Sequence, residues 1–113
     1  MIDQVRPAQL SDWFARQDAE GAPLLLDVRE PVETAFASVT PEGFELLQIP
    51  MQSIPARLAE IDPQRPVACL CHHGMRSYQV AAFLARNGYD HVANVAGGID
   101  AWSMERDPAV PRY

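Results

Sequence analysis

The chain has 113 residues, 48% hydrophobic and 21% charged, a composition that fits a globular protein and argues against disorder. Its formal charge of −6 runs against a nucleic-acid partner, which basic patches would have to attract. All nine basic residues are arginine, which excludes lysine Schiff-base chemistry and the lysine-dependent phosphate loop of nucleotide hydrolases.

A chain of this length buries roughly two thirds of its unfolded surface, so residues 1–113 are read as one domain with its own core. The opening MIDQVRPAQL has neither the basic start nor the apolar centre of a secretory leader. No apolar run approaches the ~20 residues that span a bilayer. Both point to a soluble, cytoplasmic protein without a membrane partner.

Residues 2–5 read as a short first strand. Pro7 suits the first turn of a helix running to about Gln17, with Leu10, Trp13 and Phe14 on one face. LLLDV, residues 24–28, is a solid apolar run ending in an acid, as in a strand buried on both faces. Pro31 opens a short helix to about Ala37, SVTPEG is a loop, and residues 44–49 form a third strand. Residues 54–61 fit a short helix with Ser53 as its cap. Residues 66–70 are the next buried strand. Residues 77–87 form the best helix, through Val80, Phe83 and Leu84, stopped by Gly88. A strand at 91–95, a Gly97-Gly98 turn, a helix at 99–104 and an irregular tail complete the chain.

Strands that are solid apolar runs, alternating with helices, predict an α/β fold: a mostly parallel, doubly wound sheet covered on both faces. Such sheets carry their functional groups at the carboxyl ends of the strands. Two polar clusters fall there, Asp27-Val28-Arg29-Glu30 and Cys71 through Arg76.

The second cluster has the parts of an anion cradle. In CHHGMRS, residues 71–77, Gly74 permits the curvature that turns successive N–H groups inward. The helix behind it adds unpaired N–H groups and the positive end of its dipole, and Arg76 adds a cation. A thiol in such surroundings ionises well below its free value and becomes a nucleophile. Cys69, two residues back on the same strand face, reads as a small core residue, and a Cys69–Cys71 disulfide would be badly strained. Four metal ligands in the contiguous C-x-C-H-H stretch could hardly wrap an ion tetrahedrally, and the cradle would repel a cation, so no metal is expected. Asp27 and Arg29 read as an ion pair supporting the neighbouring strand end. Trp13 and Trp102 read as core aromatics, and Met75 as pocket lining.

CHHGMRS resembles the active-site loop C-x-x-G-x-R-S of the rhodanese-type sulfurtransferases. LLLDVREPVE resembles that family's D-V-R-x-x-x-E stretch through Asp27, Val28, Arg29 and Glu33. IPMQSIPARLAEI resembles the strand end and helix before the catalytic strand, and VAGGIDAW the closing G-G-x-x-x-W through Gly97, Gly98 and Trp102. The likeness spans about residues 22–103. One stretch departs from it: TAFASVTPEGFELLQIP stands where the family carries Gly-His-Ile-x-Gly-Ala.

The resemblance implies a five-stranded parallel sheet and a ping-pong transfer through a persulfide on Cys71, with no cofactor. The donor would be a small sulfur anion such as thiosulfate, or a persulfide; the acceptor would be cyanide or a thiol, small or on a protein. Arg76 would attract the donor, His72 and His73 would line the pocket with Met75, and Gly74 and Ser77 would shape the loop. Asp27 and Arg29 would support it. A monomer or homodimer is compatible with this. Two other readings remain: an interaction or sulfur-carrier module of the same family, and a cysteine phosphatase or arsenate reductase. Phosphatase loops enclose one residue more between Cys and Arg than the four found here, a cradle sized for a phosphoryl group.

Overall fold

The computed structural model describes residues 2–113. Five strands form one parallel sheet in the order β1-β5-β4-β2-β3. They are β1 (Asp3–Val5), β2 (Leu24–Asp27), β3 (Glu45–Gln48), β4 (Val67–Leu70) and β5 (Val92–Val95). The helices are α1 (Leu10–Ala15), α2 (Pro31–Phe36), α3 (Met75–Arg86) and α4 (Gly98–Glu105). The three strands with the most apolar sequences, LLLD, VACL and VANV, are the central ones and are buried at every residue. The more polar DQV and ELLQ form the two edges.

Alternation along the strands divides the core into two layers. Leu25, Ala68, Leu70, Ala93 and Val95 face α1 and α4, packing with Leu10, Trp13, Phe14, Ile99 and Trp102. Leu24, Leu26, Val67, Cys69 and Cys71 face the other way, against Val80, Ala81 and Leu84 of α3 and against Ile49, Ile54 and Ile61. Cys69 and Cys71 therefore do share a face, and Trp13 and Trp102 are core aromatics, 5% and 1% exposed.

The topology singles out one place on this sheet. From β2 the chain goes outward to β3 at one edge; from β4 it goes outward to β5, beside the other. The connections diverge between adjacent strands β2 and β4, and a crevice opens at their carboxyl ends. Asp27 ends β2 there, and Cys71 directly follows β4.

Besides the helix from Pro7, which opens as a 3-10 turn at Pro7–Gln9 and ends at Ala15, two segments differ from the sequence expectation. Residues 54–61 do not form one helix: a 3-10 turn at Met51–Ser53 is followed by another at Leu58–Glu60. Pro55 has no N–H, so the carbonyl of Met51 receives the N–H of Ile54 instead, at 3.3 Å, a three-residue closure. Ser53 lies inside the first turn and caps nothing. The second difference is α3, which begins at Met75, two residues earlier than expected. Gly74 at φ 108° makes the whole turn by itself, so the helix starts at the next residue. Ser77 then falls in the first helical turn.

Candidate active site

Cys71, directly after β4, lines a cleft of about 190 Å³ together with His72, His73, Met75 and Arg76. The residue is 1% exposed. Its Sγ accepts the backbone N–H of Gly74 at 3.1 Å and lies 3.2 Å from Ser77 Oγ. Met75, Arg76 and Ser77 form the first turn of α3, whose N–H groups have no partners within the helix and carry the positive end of its dipole. The thiol thus sits at the N-terminal end of α3 with the Gly74 N–H on its sulfur.

The loop is held from behind by α4. Its first N–H groups cap the loop carbonyls: Ile99 donates to Cys71 at 2.8 Å and Asp100 to His72 at 3.2 Å. Because trans peptides oppose C=O to N–H, the amides of His72 and His73 point away from that helix. The approach is so close that a Cβ on Gly98 would stand 2.3 Å from the His72 carbonyl oxygen. Gly97 and Gly98, at φ 81° and 62°, therefore serve to bring a helix end against the loop.

Arg76 does not present an isolated cation. Its two terminal nitrogens donate to the carboxylate of Glu33 at 2.7 and 2.8 Å, joining α3 to α2 across the crevice. Glu33 also accepts the N–H of Glu30, closing a capping box, and the hydroxyl of Tyr113 at 2.9 Å. Arg76 foremost, then these two donors, holds the Glu33 carboxyl down at about 2, against the opposing effect of burial.

That shift has a measurable consequence. The folded value lies below the unfolded one of about 4.3, so the pair's contribution is complete above that pH and is lost as the pH falls toward 2. Acid unfolding followed by tryptophan fluorescence is expected to steepen in this window, and Glu33→Gln to flatten it. An acid limb identical in the two proteins would contradict the assignment.

Asp27 and Arg29 form a pair at 2.7 Å, with both side chains fully buried. Arg29 further donates to the carbonyl of Ala37 at 2.7 Å and to Tyr113 Oη at 2.9 Å. The two residues fasten the end of β2 to α2 and to the C-terminal segment, and neither lines the cleft. His72 and His73 stack at 3.9 Å, and the ring of Tyr113 stacks on His72, also at 3.9 Å. The Nε2 of His72 is 2.7 Å from the carbonyl oxygen of Tyr113, so the three rings make one wall. Met75 lines the cleft while 78% exposed. Among the described residues, no group of three His, Cys, Asp or Glu side chains converges as a metal site would require. Burial pushes the Cys69 thiol well above its ordinary range, which keeps it neutral beneath Cys71.

The sequence profile of the rhodanese-like domain matches residues 10–105. The chain belongs to the rhodanese-like family. It is 39% identical over 110 residues to a sulfurtransferase of Allochromatium vinosum, covering 97% of this chain and 96% of that one. It is 35% identical over 94 residues to the thiosulfate sulfurtransferase GlpE of Actinobacillus pleuropneumoniae, covering 83% and 82%. Among solved structures, a rhodanese-related protein of Thermoplasma volcanium superposes with a TM-score of 0.77 at 28% identity, over 98% of this chain and 99% of that one.

In this rhodanese-like chain the loop residues expected from sequence, Cys71 through Ser77, come together at one cleft and helix end. Three residues around it were not singled out for the site beforehand. Glu33 was visible only as the last letter of the DVR-x-x-x-E stretch; its partnership with Arg76 spans 43 positions. Asn94 carried a usable signal, a lone amide within the buried strand VANV, where an unpaired polar group would be costly. Tyr113 carried none. Where the family's Gly-His-Ile stretch is missing, Ala37, Val39 and Phe44 fill the core. On that side Tyr113 meets exposed Phe36 edge-on.

Proposed function

We propose that this rhodanese-like chain is a sulfurtransferase working through a persulfide on Cys71. The observation that carries this reading is the Cys71 sulfur at the cleft, receiving the Gly74 N–H at the head of α3. The Cys71 thiolate attacks the outer sulfur of thiosulfate, or of a persulfide. The donor's S–S bond breaks, and its electron pair leaves with sulfite or with the donor thiolate. The sulfane sulfur stays on Cys71 as a persulfide anion, within reach of the N–H groups of the loop and of the first turn of α3. Attack by a thiolate or by cyanide on that outer sulfur returns Cys71 to its starting state. No net redox change and no cofactor are required.

Arg76 enters as half of a neutral pair. Two of its N–H donors are engaged by Glu33, and the others are available to orient a donor anion at the cleft. His72, His73 and Met75 form the cleft wall. The names of the relatives, a sulfurtransferase and a thiosulfate sulfurtransferase, support this chemistry and favour thiosulfate as the first donor to try. The short loop between Cys71 and Arg76 argues against a phosphoryl substrate.

Initial rates with donor and acceptor varied together test the proposal. Parallel lines in double-reciprocal plots are expected, the kinetic sign of a covalent intermediate. Intersecting lines, or turnover retained in Cys71→Ser, would overturn it.

A further inference from the structure

Behind the sulfur lies a buried polar chain that the transfer chemistry does not by itself require. Ser77 Oγ is 3.2 Å from Cys71 Sγ and 2.5 Å from Asn94 Oδ1. Ser77 is 0% exposed and Asn94 2%, although Asn94 also borders a neighbouring cleft beside Gln4 and Gly74. The amide of Asn94 has only one possible orientation. Its Nδ2 donates to the carbonyl of Gly74 and to Gln4 Oε1, both at 3.0 Å, and a carbonyl can only accept. Asn94 Oδ1 must therefore face Ser77, and it too can only accept.

Ser77 has one proton and two neighbours that want it. While Cys71 is a neutral thiol there is no conflict: S–H donates to Ser77 Oγ, and Ser77 donates to Asn94. A thiolate accepts only. It draws the Ser77 proton away from Asn94, leaving a buried amide oxygen unpaired. The amide oxygen therefore opposes ionisation.

We propose that Asn94 is a positioning residue that holds the only proton of Ser77 and thereby sets how readily Cys71 becomes a thiolate. The proposal rests on Cys71 as the nucleophile, but it concerns a titration that can be read without any sulfur donor. In the loaded state Sγ is no longer the charged atom. The Ser77 proton then returns to Asn94, so the same contact that opposes the free thiolate is satisfied in the persulfide. Relative to the free thiolate, Asn94 thus favours the loaded state.

Other ionisable groups surround the sulfur. Arg76 on α3 and Glu33 on α2 are paired with each other, as are Asp27 and Arg29 at the end of β2. Asp100 on α4 is paired with Arg112, and Cys69 is kept neutral by burial. Tyr113 has its hydroxyl between Arg29 and Glu33, and burial foremost raises it above the ordinary phenol range. His72 and His73 line the same cleft and act on Cys71 with or without Ser77. A comparison made with and without the Ser77 hydroxyl therefore isolates the relay.

The test follows the Asn94 side-chain amide by nitrogen-15 NMR in the intact protein while Cys71 alkylation is measured across pH. The Asn94 resonances are expected to titrate with the midpoint of Cys71 reactivity, and to lose that step in Ser77→Ala. In parallel, Asn94→Ala is expected to move the alkylation midpoint down, about tenfold in thiolate fraction at a fixed lower pH, and to have no such effect in a Ser77→Ala background. Asn94 resonances silent through the Cys71 midpoint would overturn the proposal. So would an Asn94→Ala midpoint that rises, stays unmoved, or shifts equally without Ser77. The NMR arm uses wild-type Asn94 and stands even if Asn94→Ala fails to fold.

Discussion

Arg29→Met is expected to destabilise the protein by about 3–5 kcal/mol, the typical cost of leaving a buried charge without its partner. Asp27 and Arg29 are each fully buried, and the carboxylate depends on three donors from Arg29: the backbone N–H at 3.1 Å, Nε at 2.9 Å and Nη2 at 2.7 Å. Methionine fills much of the volume but strands Asp27 with a single donor. A chain of this size has a net stability of about 5–15 kcal/mol, so the loss is a large fraction of the whole. The double variant Asp27→Leu/Arg29→Met removes both charges and is expected to recover more than half of it, the remaining deficit reflecting the stranded carbonyl of Ala37. Urea denaturation measures both. A single variant within about 1 kcal/mol of wild type would mean that the pair does not brace the strand end.

Gly98→Ala is the second large effect, and it reaches the chemistry directly. A left-handed backbone costs a non-glycine residue about 1–3 kcal/mol, and overpacking a tight contact about the same again. Here the new Cβ would meet the carbonyl groups of His72 and Cys71 at 2.3–2.6 Å, all backbone atoms that cannot rotate aside. Gly43 supplies the control: its φ is 80°, and a Cβ there meets nothing within 4 Å. Gly43→Ala is expected to lose about 1 kcal/mol with sulfur loading unchanged, whereas Gly98→Ala loses at least ~2 kcal/mol more and loads sulfur slowly, because the loop must shift. Equal stability of the two variants would show that the helix end does not press on the loop.

Much of this arrangement was legible from the chain. Solid apolar runs ending in polar residues identified two of the three central strands, β2 and β4, because a strand covered on both faces has no reason to alternate. The polar ends of LLLDV and PVACL then fell together, since parallel strands carry their carboxyl ends to the same edge. What stayed hidden was decided by contacts distant in sequence. Arg76 reads as a free cation until Glu33 is seen beside it, and Tyr113 reads as tail until it stacks on His72. The start of α3 and the broken 51–60 segment were missed for a local reason. One glycine at positive φ completes a turn that pattern alone assigns several residues, and one missing N–H at Pro55 redirects a whole turn.

The central claim is that Cys71 carries sulfur. Intact-mass measurement after incubation with excess thiosulfate, and separately with a thiol persulfide, tests it most directly. One added sulfur, about 32 Da, is expected on the wild type, removable by cyanide or dithiothreitol and absent from Cys71→Ser. No adduct from either donor, or an adduct that survives in Cys71→Ser, would contradict the account.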